Sequence, residues 1–412
     1  MLEHSHWGLI LSNKVDKKSF IQVLLSKKAK GILAKFNDLN GVLFSDIAVD
    51  AFVKKEHTYQ SVEITKSQNR PLITFSSGER KKIYLAYCIE RNPDYIIIDN
   101  PFDHLDQLSR LHLTEQLGKL SRKVTFIQLS NRAEETLSFI KNRGTVEDNT
   151  FAITSSLETN EKSITTFEFE LPESLFSFQY QSDTLVKFEN VSVDYSDKPV
   201  VKAIDWEIKS GEFWQLIGPN GSGKSTLLSL ITGDNPKAYG QQVTLFGTKK
   251  GSGESVWGIK KKIGYFSINM TELFNKSHTV EQMLLAGFFD SIGLYEKPSK
   301  LQEQRVAQWL EIIEMSHLKK VRFNRLTLGE QRLVMLVRAM VKQPPLLILD
   351  EPVEGLDEAN TNLVIQLINR LIQSAKVCVI YVSHRLEPTL LPTCVYELIP
   401  SEKGSLGKVK RA

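Results

Sequence analysis

Apolar residues in this chain gather in short runs separated by longer mixed stretches, and the two clearest runs nearly repeat each other. "YIIID" (95–99) and "LLILD" (346–350) are continuous, rich in Ile and Leu, and each ends in an acid. Runs of that kind read as strands buried on both faces of a parallel sheet. Each follows a helix-length mixed segment opened by Gly-Glu and closed by a Pro-containing break. The predicted order is helix, turn, buried strand, with Asp99 and Asp350 at the carboxyl ends, where open α/β sheets place their ligands. "LVKFENVSVDY" (185–195) and "VVKAIDWEIKSGEFWQLIG" (200–218) alternate instead, and predict an antiparallel strand group feeding a central strand.

Placing Gly78 on Gly329 aligns residues 75–106 with 326–357 without a gap, and Gly, Glu, Leu, Pro, Ile, Asp, Pro, Leu and Asp recur at matching places. "TFIQLSNR" answers "VIYVSHR", so Asn131 falls where His384 stands, and Asn100 falls where Glu351 stands. The chain therefore reads as two related α/β domains, residues 1–146 and 185–412. The stretch between them, 147–184, is rich in Ser, Thr and acids and reads as linker and edge elements.

Composition changes this picture little. The 412 residues are 41% hydrophobic and 24% charged with net charge +4, ordinary for globular domains and too weakly basic to argue for a nucleic-acid or membrane partner. Cys88, Cys378 and Cys394 are scattered and lack a C-x-x-C spacing, which fits buried thiols in a reducing cytosol. No apolar run approaches the roughly 20 residues a spanning helix needs, so any service to a membrane is expected from a peripheral subunit. His4 and His6 have no metal-ligand companions and read as frayed surface residues.

Directly after the central strand comes "GPNGSGKST", Gly218 to Thr226, followed by the helical run "LLSLITG". This is G-x-x-x-x-G-K-S in strand-loop-helix context, a phosphate cradle. Gly218, Gly221 and Gly223 let backbone N–H groups around Asn220 and Ser222 turn inward, and the helix start at Lys224, Ser225 and Thr226 adds partial positive charge. Lys224 would pair the β/γ-phosphates of ATP, and Ser225 with Asp350 would hold Mg²⁺. Glu351 is placed as the general base for the attacking water.

"GPNGSGKST", "LLILDEP", "GLD" and "SH" at these distances resemble an ATP-binding cassette (ABC) ATPase over nearly all of 185–400. "LTLGEQ" departs from that family's Leu-Ser-Gly-Gly-Gln signature at Thr327, Leu328 and Glu330, while "FSSGE" in the first half is closer. "LITGDNPKAYGQQVTLFG", "KGSGESVWGIKKKIGY" and "AGFFDSIGLY" are similar to the tandem-cassette family of molybdate-transport or photorepair ATP-binding proteins. The resemblance implies two tandem nucleotide-binding domains, each an α/β fold with a parallel-sheet P-loop core, an antiparallel β-subdomain and an α-helical subdomain. It also implies a site in which one domain's phosphate loop faces the other's signature. Lys224, Ser225, Asp350, Glu351 and His384, the last touching the γ-phosphate, would then be completed by Ser76 and Gly78, within a chain or between two chains. Tyr195, 29 residues before Lys224 (224 − 195), stands where the family stacks an aromatic on adenine.

The first domain is expected to be degenerate. No G-x-x-x-x-G-K-[ST] occurs in residues 1–74, and the 105-residue interval from Lys224 to Gly329 (329 − 224) would put a first cradle before Met1. Asn100 cannot take up a proton and Asn131 cannot supply an imidazole, so the mirror site with Thr327 and Gly329 is expected empty. The family's glutamine loop is missing too: near residue 268, after "IGY", the chain reads "FSINMTE". Two functions stay open. One is the cytoplasmic ATPase subunit of an importer, for an oxyanion such as molybdate, working with integral-membrane permease subunits. The other is a soluble nucleotide-gated clamp on a ribosome or DNA. A non-catalytic regulator is opposed by the presence of Glu351 and His384.

Overall fold

The computed structural model describes residues 5–59, 70–75, 77–103, 105–147, 153, 169–180, 182–196, 198–274, 276–374, 377–383, 387 and 389–411. The chain forms two compact units, residues 1–163 with 355–359, and residues 164–354 with 360–412.

In the first unit β1 (Trp7–Leu11) leads into α1 (Lys17–Leu25), and β2 (Gly41–Phe44) runs almost directly into α2 (Asp46–Tyr59). Then come α3 (Ser77–Glu90), β3 (Tyr95–Asp99), α4 (Gln107–Leu120), β4 (Thr125–Ser130) and β5 (Asn142–Val146). The strands form one parallel sheet in the order β2-β3-β4-β1-β5. The continuous apolar runs are explained by burial on both faces. Ile96, Ile98 and Phe126 pack with Leu85, Leu113 and Leu117, whereas Tyr95, Ile97 and Ile127 pack with Phe20 and Leu24 of α1. Asp16 caps α1 by accepting from the Ser19 N–H, and Asp106 caps α4 by accepting from the Ser109 N–H. His6 is not frayed as expected. Its Nδ1 accepts from the Phe126 N–H at 3.1 Å and its ring meets Phe139 edge-on, while His4 lies outside the described residues.

The second unit opens with β6 (Thr184–Tyr195), β7 (Lys198–Lys209), β8 (Phe213–Ile217), α5 (Lys224–Ile231), β9 (Gln242–Leu245) and β10 (Thr248–Lys249). It continues through α6 (Val256–Lys261), β11 (Ile263–Ser267), α7 (Val280–Gly287), α8 (Lys300–Ile312), α9 (Leu328–Met340) and β12 (Leu346–Asp350). The closing elements are α10 (Glu358–Ser374), β13 (Cys378–Val382), β14 (Cys394–Ile399) and β15 (Leu406–Arg411). β10, β9, β6 and β7 make the predicted antiparallel sheet. The main sheet runs β11-β12-β13-β8-β14-β15 and is parallel except for β15. Its first five strands repeat the strand order of the first unit one for one, so the duplication reaches well beyond the motif that revealed it.

Backbone details repeat as well. Asn92 and Gln343 both sit at φ +47° in the break before the strand, and Asn100 and Glu351 sit at φ +41° and +52° just after it. The stretch read as linker is in part a component of the second unit. Glu173 pairs with Arg305 of α8 at 3.0 Å, Gln343 Nε2 donates to the Pro172 carbonyl, and Phe176 lies 6.0 Å from Phe288. Among the described residues, Cys88, Cys378 and Cys394 are buried and unpaired with one another, and no helix is long and apolar enough to cross a membrane.

Candidate active site

The loop between β8 and α5 is shaped by glycines at positive φ. Gly218, Gly221 and Gly223 have φ of +154°, +77° and +96°. A Cβ on Gly218 would meet Ser222 Oγ at 2.7 Å and the Leu398 carbonyl at 3.0 Å. At Gly223 a Cβ would reach Val201 Cγ1 at 2.5 Å, so β7 packs directly on the loop. Only glycine satisfies both the backbone angle and the space at these two places. Lys224 opens α5, and its Nζ donates to the Gly218 and Pro219 carbonyls at 2.7 and 3.0 Å. Ser225 and Thr226 follow in the first turn of the helix.

Asp350 ends β12, with Ser267 of β11 and Val382 of β13 as its register partners. Burial pushes its carboxyl up to about 6; the Lys224 ammonium opposes that shift and Glu354 adds to it. Glu351 follows in the left-handed region, its N–H donating to the Val382 carbonyl at 2.9 Å and its carbonyl accepting from the Glu354 N–H. A glutamate held at positive φ costs about 1 kcal/mol or more, and strain of that kind clusters at functional sites.

Tyr195 ends β6 and is exposed. Its hydroxyl accepts from Asn235 Nδ2 at 2.7 Å, and the same amide group donates to Ser229 Oγ on α5 at 3.0 Å. Asn235 thus ties the predicted aromatic platform to the phosphate-loop helix. Its only sequence signal was the Asn-Pro dipeptide that marks the turn after that helix. The structure therefore gathers Tyr195, Gly218 to Thr226, Asp350 and Glu351 in the second unit. His384 and Ser76 lie outside the described residues, and Gly78 sits in the first turn of α3 in the first unit. The departures at Thr327 and Glu330 form a reciprocal capping box at the start of α9: Thr327 Oγ1 accepts from the Glu330 N–H, and the Thr327 N–H donates to Glu330 Oε2 at 2.8 Å.

The first unit holds a feature that spacing missed. β1, residues 12–16 and α1 occupy the place of β8, the phosphate loop and α5, and Lys17 stands at the helix start as Lys224 does. The interval from this lysine to the signature glycine is 61 residues (78 − 17), not 105, because β2, α2 and two short 3₁₀ turns stand where the second unit carries β9 to α8. The intervening loop, Ser12 to Asp16, has no glycine. Lys17 Nζ donates to Asp99 Oδ1 at 2.9 Å and to Asn131 Oδ1 at 3.2 Å.

The second unit's donor set suits a magnesium nucleotide. Gly221 and Gly223 hold the loop at positive φ, and a Cβ on exposed Gly221 would meet no atom within 4 Å. A hydroxyl and one carboxylate are hard oxygen donors of the kind Mg²⁺ uses together with phosphates. No cluster of three His, Cys, Asp or Glu side chains among the described residues makes a protein-only cage.

Residues 201–354 match the family model for the ABC transporter domain. The chain is 37% identical over 351 residues to the ABC transporter ATP-binding protein ModF of Escherichia coli (strain K12), spanning 82% of this chain and 71% of that protein. It is 28% identical over 379 residues to the uncharacterised ABC transporter ATP-binding protein C323.04 of Schizosaccharomyces pombe, spanning 85% and 73%. In fold it is similar to the archaeal ribosome recycling factor aABCE1, solved with the ribosomal stalk protein aP1, at TM-score 0.64 and 16% identity over 99% of this chain and 86% of that one. Tandem α/β units, a glycine-shaped phosphate loop and these relatives together identify the chain as a member of the ATP-binding cassette family, an ABC ATPase that binds and hydrolyses ATP.

Proposed function

We propose that the chain is the Mg²⁺-dependent, cytoplasmic ATPase subunit of an importer, an oxyanion importer on the strength of its sequence resemblance to the molybdate-transport or photorepair family, with its spanning subunits on separate chains. In this reading the inward N–H groups of the loop and Lys224 bind the phosphates. Ser225 and Asp350 would hold Mg²⁺, which when bound screens charge on the phosphoryl oxygens. Glu351 takes the proton of the water that attacks the γ-phosphorus, the bond from that phosphorus to the bridging oxygen breaks, and ADP leaves with the electron pair. Tyr195 stacks on adenine and His384 contacts the γ-phosphate.

The observation that carries the importer reading is a groove of about 380 Å³ lined by Trp257, Met270, Leu273, Phe274 and Ile292, three of which are more than half exposed. Its floor holds Asp290 paired with Lys342, and Arg338, whose guanidinium lies over the Phe274 ring. The 3₁₀ turn Ile268–Glu272 on its wall continues β11, whose last residue, Ser267, is the register partner of Asp350. An amphipathic helix of a permease seated there would lean on the strand beside the metal carboxylate. The absent family glutamine near residue 268 favours the second reading, a soluble clamp on a ribosome or DNA.

Capture of the Glu351→Gln protein from its own cells with ATP separates the two. Recovery of an integral-membrane permease, lost when Leu273→Asp is added, is expected. Recovery of ribosomes or nucleic acid without membrane protein would replace the importer by the clamp.

A further inference from the structure

A nucleotide gripped at its base by an aromatic ring and at its phosphates by a loop needs those two groups at a set span. In the second unit they belong to different elements, since Tyr195 ends β6 and Thr226 lies in the first turn of α5. The turn after α5 touches both. Buried Asn235 caps its 3₁₀ segment, Pro236–Ala238, with Oδ1 accepting from the Lys237 N–H at 3.0 Å. Asp, Ser or Thr would cap as well, because a cap needs only an acceptor. None of them has two donors to add. Both hydrogens of Asn235 Nδ2 are used, one on the Tyr195 hydroxyl at 2.7 Å and one on Ser229 Oγ at 3.0 Å. Ser229 Oγ donates in turn to the Thr226 carbonyl at 2.7 Å, and the Asn235 N–H donates to the Ser229 carbonyl at 3.1 Å. A chain of hydrogen bonds therefore runs from the start of the phosphate-loop helix to the tip of the ring.

The same turn holds β6 at a second point. Gln241 Oε1 accepts from the Ser192 N–H at 2.8 Å, and its Nε2 donates back to the Lys237 carbonyl. Two amides thus pin β6 three residues apart (195 − 192), while the Tyr195 ring stays exposed. We infer that Asn235 is a positioning residue for ATP: it fixes the span between the ring that takes the base and the loop that takes the phosphates, so the ring is already ordered when the nucleotide arrives. The inference rests on Tyr195 stacking on adenine, as proposed above. Because Asn235 acts through the ring, its loss should be felt only by a ligand that has a base.

The test measures, in the full chain, affinity for ATP and for inorganic triphosphate, which lacks the base. Asn235→Ala should weaken ATP by about three- to tenfold and raise KM by the same factor, with kcat and the affinity for triphosphate within about twofold of wild type. Tyr195→Phe keeps the ring and removes only the tethered hydroxyl, and it should weaken ATP by a similar factor. The double variant should bind ATP no more weakly than Asn235→Ala alone, because both changes break one bond. Equal losses for ATP and triphosphate in Asn235→Ala would overturn the inference, since the residue would then act on the phosphate loop; so would fully additive losses in the double variant. If Asn235→Ala folds poorly, Tyr195→Phe on the exposed ring carries the test, and wild-type ATP affinity there overturns the tether. Tyr195→Ala is measured alongside: wild-type ATP affinity in that variant would overturn the stacking reading itself, whereas a large loss there with Asn235→Ala and Tyr195→Phe silent would leave stacking standing and overturn the role of Asn235.

Discussion

Lys17 and Lys224 begin equivalent helices after equivalent strands, yet they face opposite tasks. Lys224 follows three glycines at positive φ and rests on the carbonyls of its own loop, Gly218 and Pro219, beside a carboxyl that burial has pushed up to about 6. Lys17 follows a loop without glycine and spends its charge on Asp99 and Asn131. If the first unit binds no nucleotide, as its sequence predicts, a cassette scaffold can outlive its nucleotide chemistry once the strand-end carboxylate has another partner. The residues after the two strands make the same point. Asn100 and Glu351 share a left-handed backbone that asparagine tolerates better than glutamate, so the second unit keeps a strained residue where the first has a relaxed one.

The largest difference between the two lysines should appear in ligand binding. Lys224→Ala is expected to weaken ATP by about two orders of magnitude or more, read by titration with a fluorescent nucleotide. Lys17→Met should leave that affinity unchanged and instead lower stability by about 1–3 kcal/mol in denaturant melts, because Asp99 stays buried without its cation.

A smaller effect separates the strand-end acids in the second unit. The Asp350 pKa is raised in the folded state, so its protonated form favours folding below about pH 4, and that contribution is lost as pH climbs through about 6. In the nucleotide-free protein, Asp350→Asn should gain stability relative to wild type as pH rises from about 4 to 6, by about a few degrees in Tm, and the gap should be constant above. A gap that shrinks over that range would contradict the assigned cause.

The smallest effects belong to the left-handed pair. Glu351→Gly should abolish turnover while raising stability by about 0.5–1 kcal/mol, and Asn100→Gly should change stability by less than about 0.5 kcal/mol. Calorimetry on the two variants checks both signs.

Much of this was readable in the chain. The buried strands announced themselves by uninterrupted Ile and Leu, because both faces of the sheet are covered, and the phosphate loop by glycines whose angles no other residue fits. Lys17 was not readable, since a lysine without glycines carries no motif and the interval used to seek it had shrunk from 105 to 61 residues. Nor were the hydrogen bonds of Asn131. Alignment to His384 shows what an amide lacks, whereas its use at both ends depends on Asn13, Lys17 and Gly355, brought together only by the fold. Asn235 escaped for the same reason, because its partners Tyr195 and Ser229 are distant in sequence or on another element.

The central claim is that one unit binds nucleotide and the other has closed its site with its own lysine. Equilibrium dialysis of the Glu351→Gln protein against labelled ATP and Mg²⁺ tests it most directly. One nucleotide per chain, falling to none when Lys224→Ala is added, is the predicted result; two per chain, or one that survives Lys224→Ala, would contradict it.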